Sequence, residues 1–143
     1  MTEGEIRGNI SYNENLIQGY LSQITKLQGE VEELEALKTK ISNHQFDFAS
    51  RQESRRSGLN KYLGFNLRSN IFSKYIAGMS ELLNGQDYTN TYNGLTTAIE
   101  RVQAKIDEKA TALSEVENNL SYRRQRKSYW EEQLRNYYAT KEW

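Results

Sequence analysis

From Ile6 to Phe48 the chain repeats every seven residues, and no proline interrupts any of its 143 residues. Ile10, Ile17, Ile24 and Val31 take one position of the repeat. Ile6, Tyr20, Leu27, Leu34, Ile41 and Phe48 take the other, and Asn13, Lys38 and Gln45 are its polar interruptions. β-Branched residues at the first position, with leucine among the apolar residues at the second, predict a coiled-coil seam. Proline would remove a backbone donor and clash with the preceding turn, so its absence leaves such a helix uninterrupted. Thr2 and Glu5 have the spacing of a capping box. The first helix is therefore expected from about residue 4 to about residue 56. Gly8, Gly19 and Gly29 fall off the seam, where each costs about 1 kcal/mol against alanine. Two readings stand for them: tolerated surface glycines, which is the simpler, or places where another helix comes close.

The stretch Ser57–Asn66, SGLNKYLGFN, breaks this pattern. Gly58 and Gly64 bracket Tyr62, and the apolar register resumes in a new phase, so a turn is predicted over 57–66. A second helix is predicted over 67–139. Its first part carries a broad apolar set that includes Phe72, Tyr75, Ile76 and Met79, wider than one partner helix would cover. These four are candidate partner-interface residues. The segment 84–94, NGQDYTNTYNG, has the strongest turn chemistry in the chain and reads as a kink, a short loop or weak helix. The heptad then returns through Tyr92, Leu95, Ile99, Val102, Ile106, Leu113, Val116 and Leu120, with Lys109 as its polar interruption. It then passes Arg123 and Lys127 to Trp130, Leu134 and Tyr137.

The expected fold is all-α: one domain, 1–143, forming a long antiparallel helical hairpin. With a reversal near residue 62, position i faces roughly 124 − i, which sets Ile6 near Asn118. Residues 120–143 would then overhang as an extended C-terminal arm. Trp130, Leu134 and Tyr137 would be an exposed apolar stripe awaiting a partner chain. A reversal at 84–94 would instead give a three-helix arrangement.

Nineteen basic and nineteen acidic side chains balance to zero, so no net field draws the chain to nucleic acid or anionic lipid. No segment has the roughly 18 apolar residues of a membrane span, and the polar N-terminus lacks the apolar stretch of a signal peptide. Cysteine is absent, and His44 is the only histidine. Thiolate or histidine metal sites and a Ser-His-Asp triad therefore lack their residues. Carboxylate runs such as Glu30–Glu35 read as solvated helix faces. No catalytic residue, metal or cofactor is expected, and the chain is read as a non-enzyme. The basic run Arg123–Lys127 reads first as solvated surface, then as a contact for an acidic partner, and last as a nucleic-acid site, which would want a larger basic excess.

Two short patterns carry a family resemblance. Tyr62-Leu63-Gly64 stands between the two long helices, where WxG-type proteins of ESX secretion systems carry Trp-x-Gly. Tyr138-Ala-Thr-Lys-Glu142 stands where that superfamily carries the Tyr-x-x-x-acid part of its export signal. The segment from about Gly29 to Glu117 resembles the LXG-toxin-associated α-helical (Lap) proteins, YwqH-like, of Gram-positive bacteria. Tyrosine at position 62 replaces the usual tryptophan. The resemblance implies a targeting factor or chaperone that binds the N-terminal helical LXG domain of a cognate toxin. With a sister Lap protein it would form the complex read by a type VIIb secretion ATPase. It also implies a cytoplasmic protein, or one co-exported without a signal peptide, with Tyr62 and Gly64 as turn motif and Tyr138 and Glu142 as export signal. The competing readings are a homodimeric coiled-coil scaffold with no role in export and a helical nucleic-acid-associated protein.

Overall fold

The protein is described here by a computed structural model over residues 1–63 and 70–141. Every element in it is an α-helix: α1 (Glu3–Leu63), α2 (Asn70–Asn84) and α3 (Gln86–Lys141). The expected all-α class and the antiparallel helical pairing are both observed. The packing divides the chain into two units, residues 1–33 with 106–143 and residues 34–105. Each is described by itself.

In the first unit the start of α1 runs antiparallel to the end of α3. The capping box forms as the spacing predicts. Thr2 N–H donates to Glu5 Oε2 at 2.9 Å, and Glu5 N–H donates to Thr2 Oγ1 at 3.1 Å. This satisfies donors that a helix start otherwise leaves open. Among the described residues, Ile6 and Ile17 on α1, with Ile106 and Leu120 on α3, are the buried apolar residues of this unit. Between them the seam carries polar residues that meet polar residues. Asn13, only 2% exposed, donates to the Asn9 carbonyl at 2.8 Å and accepts from Arg123 at 3.4 Å. Lys109 Nζ lies 2.8 Å from Glu30 Oε2, and Lys127 pairs with Glu14.

In the second unit α1 continues against α2 and then against the start of α3. Leu59, Ile76 and Leu83 form a buried cluster with Met79 packed on it. Lys38 Nζ donates to Gln103 Oε1 at 2.6 Å, and Gln45 Nε2 donates to Thr96 Oγ1 at 2.6 Å. The chain does not reverse within 84–94. Residues 86–94 are helical, and the interruption is the single residue Gly85. A Cβ there would lie 2.2 Å from the Glu81 carbonyl oxygen, which accounts for glycine at the break. That break leaves the carbonyl end of α2 short of backbone donors. Leu83 O is taken instead by α1: Gln52 Nε2 at 2.6 Å, Arg56 Nε at 3.2 Å and Arg56 Nη2 at 3.1 Å.

Three expectations are corrected. Helix α1 does not stop at residue 56 but runs through 57–63, so seven of the ten residues of the expected turn are helix; residues 64–66 lie outside the described residues. The register is not 124 − i. Lys109 meets Glu30 rather than a residue near 15, and Thr96 meets Gln45 rather than a residue near 28. The shift is about two heptads. A displacement by whole heptads keeps an apolar seam in phase, so the apolar residues alone do not choose between the registers; the paired polar interruptions do. With that register the third expectation falls: among the described residues α3 has no overhang. Arg7 meets Tyr138 and Glu14 meets Lys127, so Trp130, Leu134 and Tyr137, which lie between those contacts, run alongside α1 and are half-buried.

Candidate interaction surfaces

Among the described residues no group of three His, Cys, Asp or Glu side chains is placed to hold a metal ion. No helix described is long and apolar enough to cross a membrane. His44 is exposed on α1. What the structure offers chemically is helix surface.

At the end of α3, Tyr138 is held by the first two turns of α1. Its hydroxyl donates to Glu3 Oε1 and accepts from Arg7 Nη2 at 2.6 Å, while Arg7 Nε donates to the same Glu3 oxygen at 2.9 Å. The Tyr138 hydroxyl and then Arg7 hold the Glu3 carboxyl below the usual carboxylate range. The same network, led by Glu3, raises Arg7. Tyr138 is therefore a fixed, half-buried group rather than a free one. Its motif partner Glu142 lies outside the described residues. Tyr137 packs edge-on against Tyr138, and Lys141 sits 5.9 Å over the Tyr137 ring. Trp130 meets Tyr129 edge-on, with Arg126 over both rings.

In the second unit, Phe48 stacks on Tyr88 at 5.1 Å and Tyr88 on Tyr92 at 6.2 Å, with the Arg56 guanidinium 4.8 Å over Tyr88. The predicted interface residues of α2 divide here. Ile76 is buried and Met79 packs beside it, both facing their own α1, so they belong to the internal core rather than to a partner surface. Tyr75 is 59% exposed. Phe72 is helical, and its side chain is not described; the same holds for Tyr62, while Gly64 lies outside the described residues. Next to Tyr75 in the outward set stands Leu82, seven residues on and 66% exposed. Phe46 on α1 is 73% exposed and Leu37 is also exposed. Sequence reasoning passed over Phe46 and Leu37 because both lie off the seam. Their signal is large apolar residues at heptad positions that face away from the neighbouring helix.

Gly8, Gly19 and Gly29 have nothing within 4 Å of where a Cβ would stand, which favours the simple surface reading. No protein-family model, curated protein or solved structure matches the chain.

Proposed function

We propose that this protein is a helical targeting factor: it binds the N-terminal helical LXG domain of a cognate toxin. Together with a sister Lap-type protein it makes that toxin a substrate for a type VIIb secretion ATPase. It acts by binding and not by catalysis, in the cytoplasm before export, and leaves with its toxin or stays behind. The observation that carries the reading is the outward exposure of Phe46, Tyr75 and Leu82 in a unit whose inner seam is already filled by Leu59, Ile76 and Leu83. Exposed apolar side chains grouped on one face mark an interaction surface, and Tyr75 and Leu82, seven residues apart, share one face of α2. On a helix, apolar residues seven apart such as Tyr75 and Leu82 match the facing stripe of another helix. The family resemblance supplies the identity of that second helix. Tyr138 would be shown to the secretion machinery from a fixed seat on α1, so recognition would read a preformed surface.

The test is co-expression of the full chain with the N-terminal domain of a toxin encoded beside it, followed by light scattering on the purified material. A complex is expected. Phe46→Glu and Leu82→Glu should each weaken it at least tenfold, about 1.4 kcal/mol, while far-UV circular dichroism stays unchanged. A folded wild-type chain that ignores the toxin domain overturns the proposal.

A further inference from the structure

In the first unit the solvent face of α3 carries a stripe of four charges and two serines: Glu117, Ser121, Arg124, Ser128, Glu132 and Arg135. They line a shallow depression of about 760 Å³. Their spacing of three or four residues puts them on one side of the helix. All six are exposed. None of the four charges has an ion pair or hydrogen bond among the described residues, whereas Glu14, Glu30, Lys109 and Lys127 are all paired across the seam.

We infer that this face binds a second copy of the same chain, with the two α3 helices antiparallel and crossing at Ser128. The order of charges along the stripe is negative, positive, negative, positive. A parallel copy would set each charge against its own kind. An antiparallel copy turned about Ser128 sets Arg124 against Glu132 of the second chain, and Glu132 against its Arg124. Arg135 falls opposite Ser121, with Glu117 one turn beyond and within reach of its long side chain. Every free charge of the stripe thus finds an opposite one, and the sequence that supplies the stripe also supplies its complement. This self-complementarity is what a two-fold interface requires. Serine at 121 and 128 leaves room for the helix axes to approach to about 8 Å. The contact is polar and ionic, so it weakens as salt screens the pairs. It is independent of toxin binding, whose residues lie in the other unit.

Sedimentation equilibrium on the full chain tests it. The wild type is expected to dimerise, and the dimer should weaken with added salt. Arg124→Glu alone sets glutamate against Glu132 twice, and Glu132→Arg alone sets arginine against Arg124 twice. Each should weaken self-association at least tenfold. Mixing the two variants pairs glutamates with arginines at both positions, and should restore a dimer within about threefold of wild type. Circular dichroism checks that each variant is as helical as the wild type. A wild type that stays monomeric overturns the inference, and so does a dimer indifferent to both reversals, or a mixture that fails to recover. Loss of toxin-domain binding in Arg124→Glu, with a monomeric wild type, assigns the face to a different partner and also overturns it.

Discussion

The carbonyl of Leu83 offers the sharpest test of how α2 is held. It ends α2 at the Gly85 break and accepts from Gln52 and, twice, from Arg56, in a spot where Gln52 is only 7% exposed. Gln52→Leu keeps the size of the side chain and removes one neutral donor. The Arg56 donors remain, so the carbonyl stays paired and the expected loss is about 1 kcal/mol. Arg56→Leu removes two charge-assisted donors and the stacking over Tyr88, for a loss of about 2 kcal/mol. In the double variant the oxygen has no donor left from α1. The desolvation cost of a bare carbonyl, about 1–3 kcal/mol, then appears in full. The two changes together should therefore exceed the sum of the singles by about 1 kcal/mol or more. Urea denaturation followed by circular dichroism gives the three differences, and hydrogen exchange at the α2 amides shows whether the loss is seated there. If the changes add to within about 0.5 kcal/mol, the shared-acceptor reasoning is wrong.

Two glycine changes should have opposite signs. Gly19→Ala meets nothing within 4 Å and should stabilise by about 1 kcal/mol in the same denaturation assay, whereas Gly85→Ala drives a Cβ to 2.2 Å from the Glu81 carbonyl and should destabilise. The carboxyls of Glu3, Glu14 and Glu30 are held low, led by Tyr138, Lys127 and Lys109 respectively. Their contribution is present above the ordinary carboxylate value and is lost as pH falls through the lowered folded values, so the first unit should loosen in acid. Lys109 and Lys127 are raised, chiefly by Glu30 and Glu14, so their contribution is lost only as pH climbs past the ordinary lysine value. Tyr138→Phe removes the hydroxyl that leads the lowering of Glu3. The Glu3 carboxyl should then titrate higher, which carbon-detected NMR of its side chain reads directly; an unchanged titration would refute the assigned cause.

Much of this molecule was legible in its residues. The heptad positions from Ile6 to Phe48 named the face that α1 turns inward, because a side chain's place on a helix follows from spacing alone. The capping box at Thr2 and Glu5 formed as read, since both of its partners lie within one turn. The all-α class followed from the same local rules. Local signals also misled. Glycines at 58 and 94 and the polar run after Asn84 look like turns, yet all but Gly85 among residues 84–94 sit in helix, held by neighbours such as Phe48 against Tyr88. The outward residues Phe46 and Leu37 lie off the seam and were passed over, and which apolar residues of α2 face α1 depended on the position of Leu59.

The sequence by itself determined that two apolar stripes of matching period would pair. It did not determine which turn of one stands beside which turn of the other, because a seven-residue pattern presents nearly the same apolar face after every heptad. Tertiary structure decided that, through contacts between residues far apart in the chain: Asn13 with Arg123, Glu30 with Lys109, and Lys38 with Gln103. A buried polar group left without a partner is costly, so the register that pairs these interruptions prevails over those that leave them bare. That choice lays Trp130, Leu134 and Tyr137 against α1.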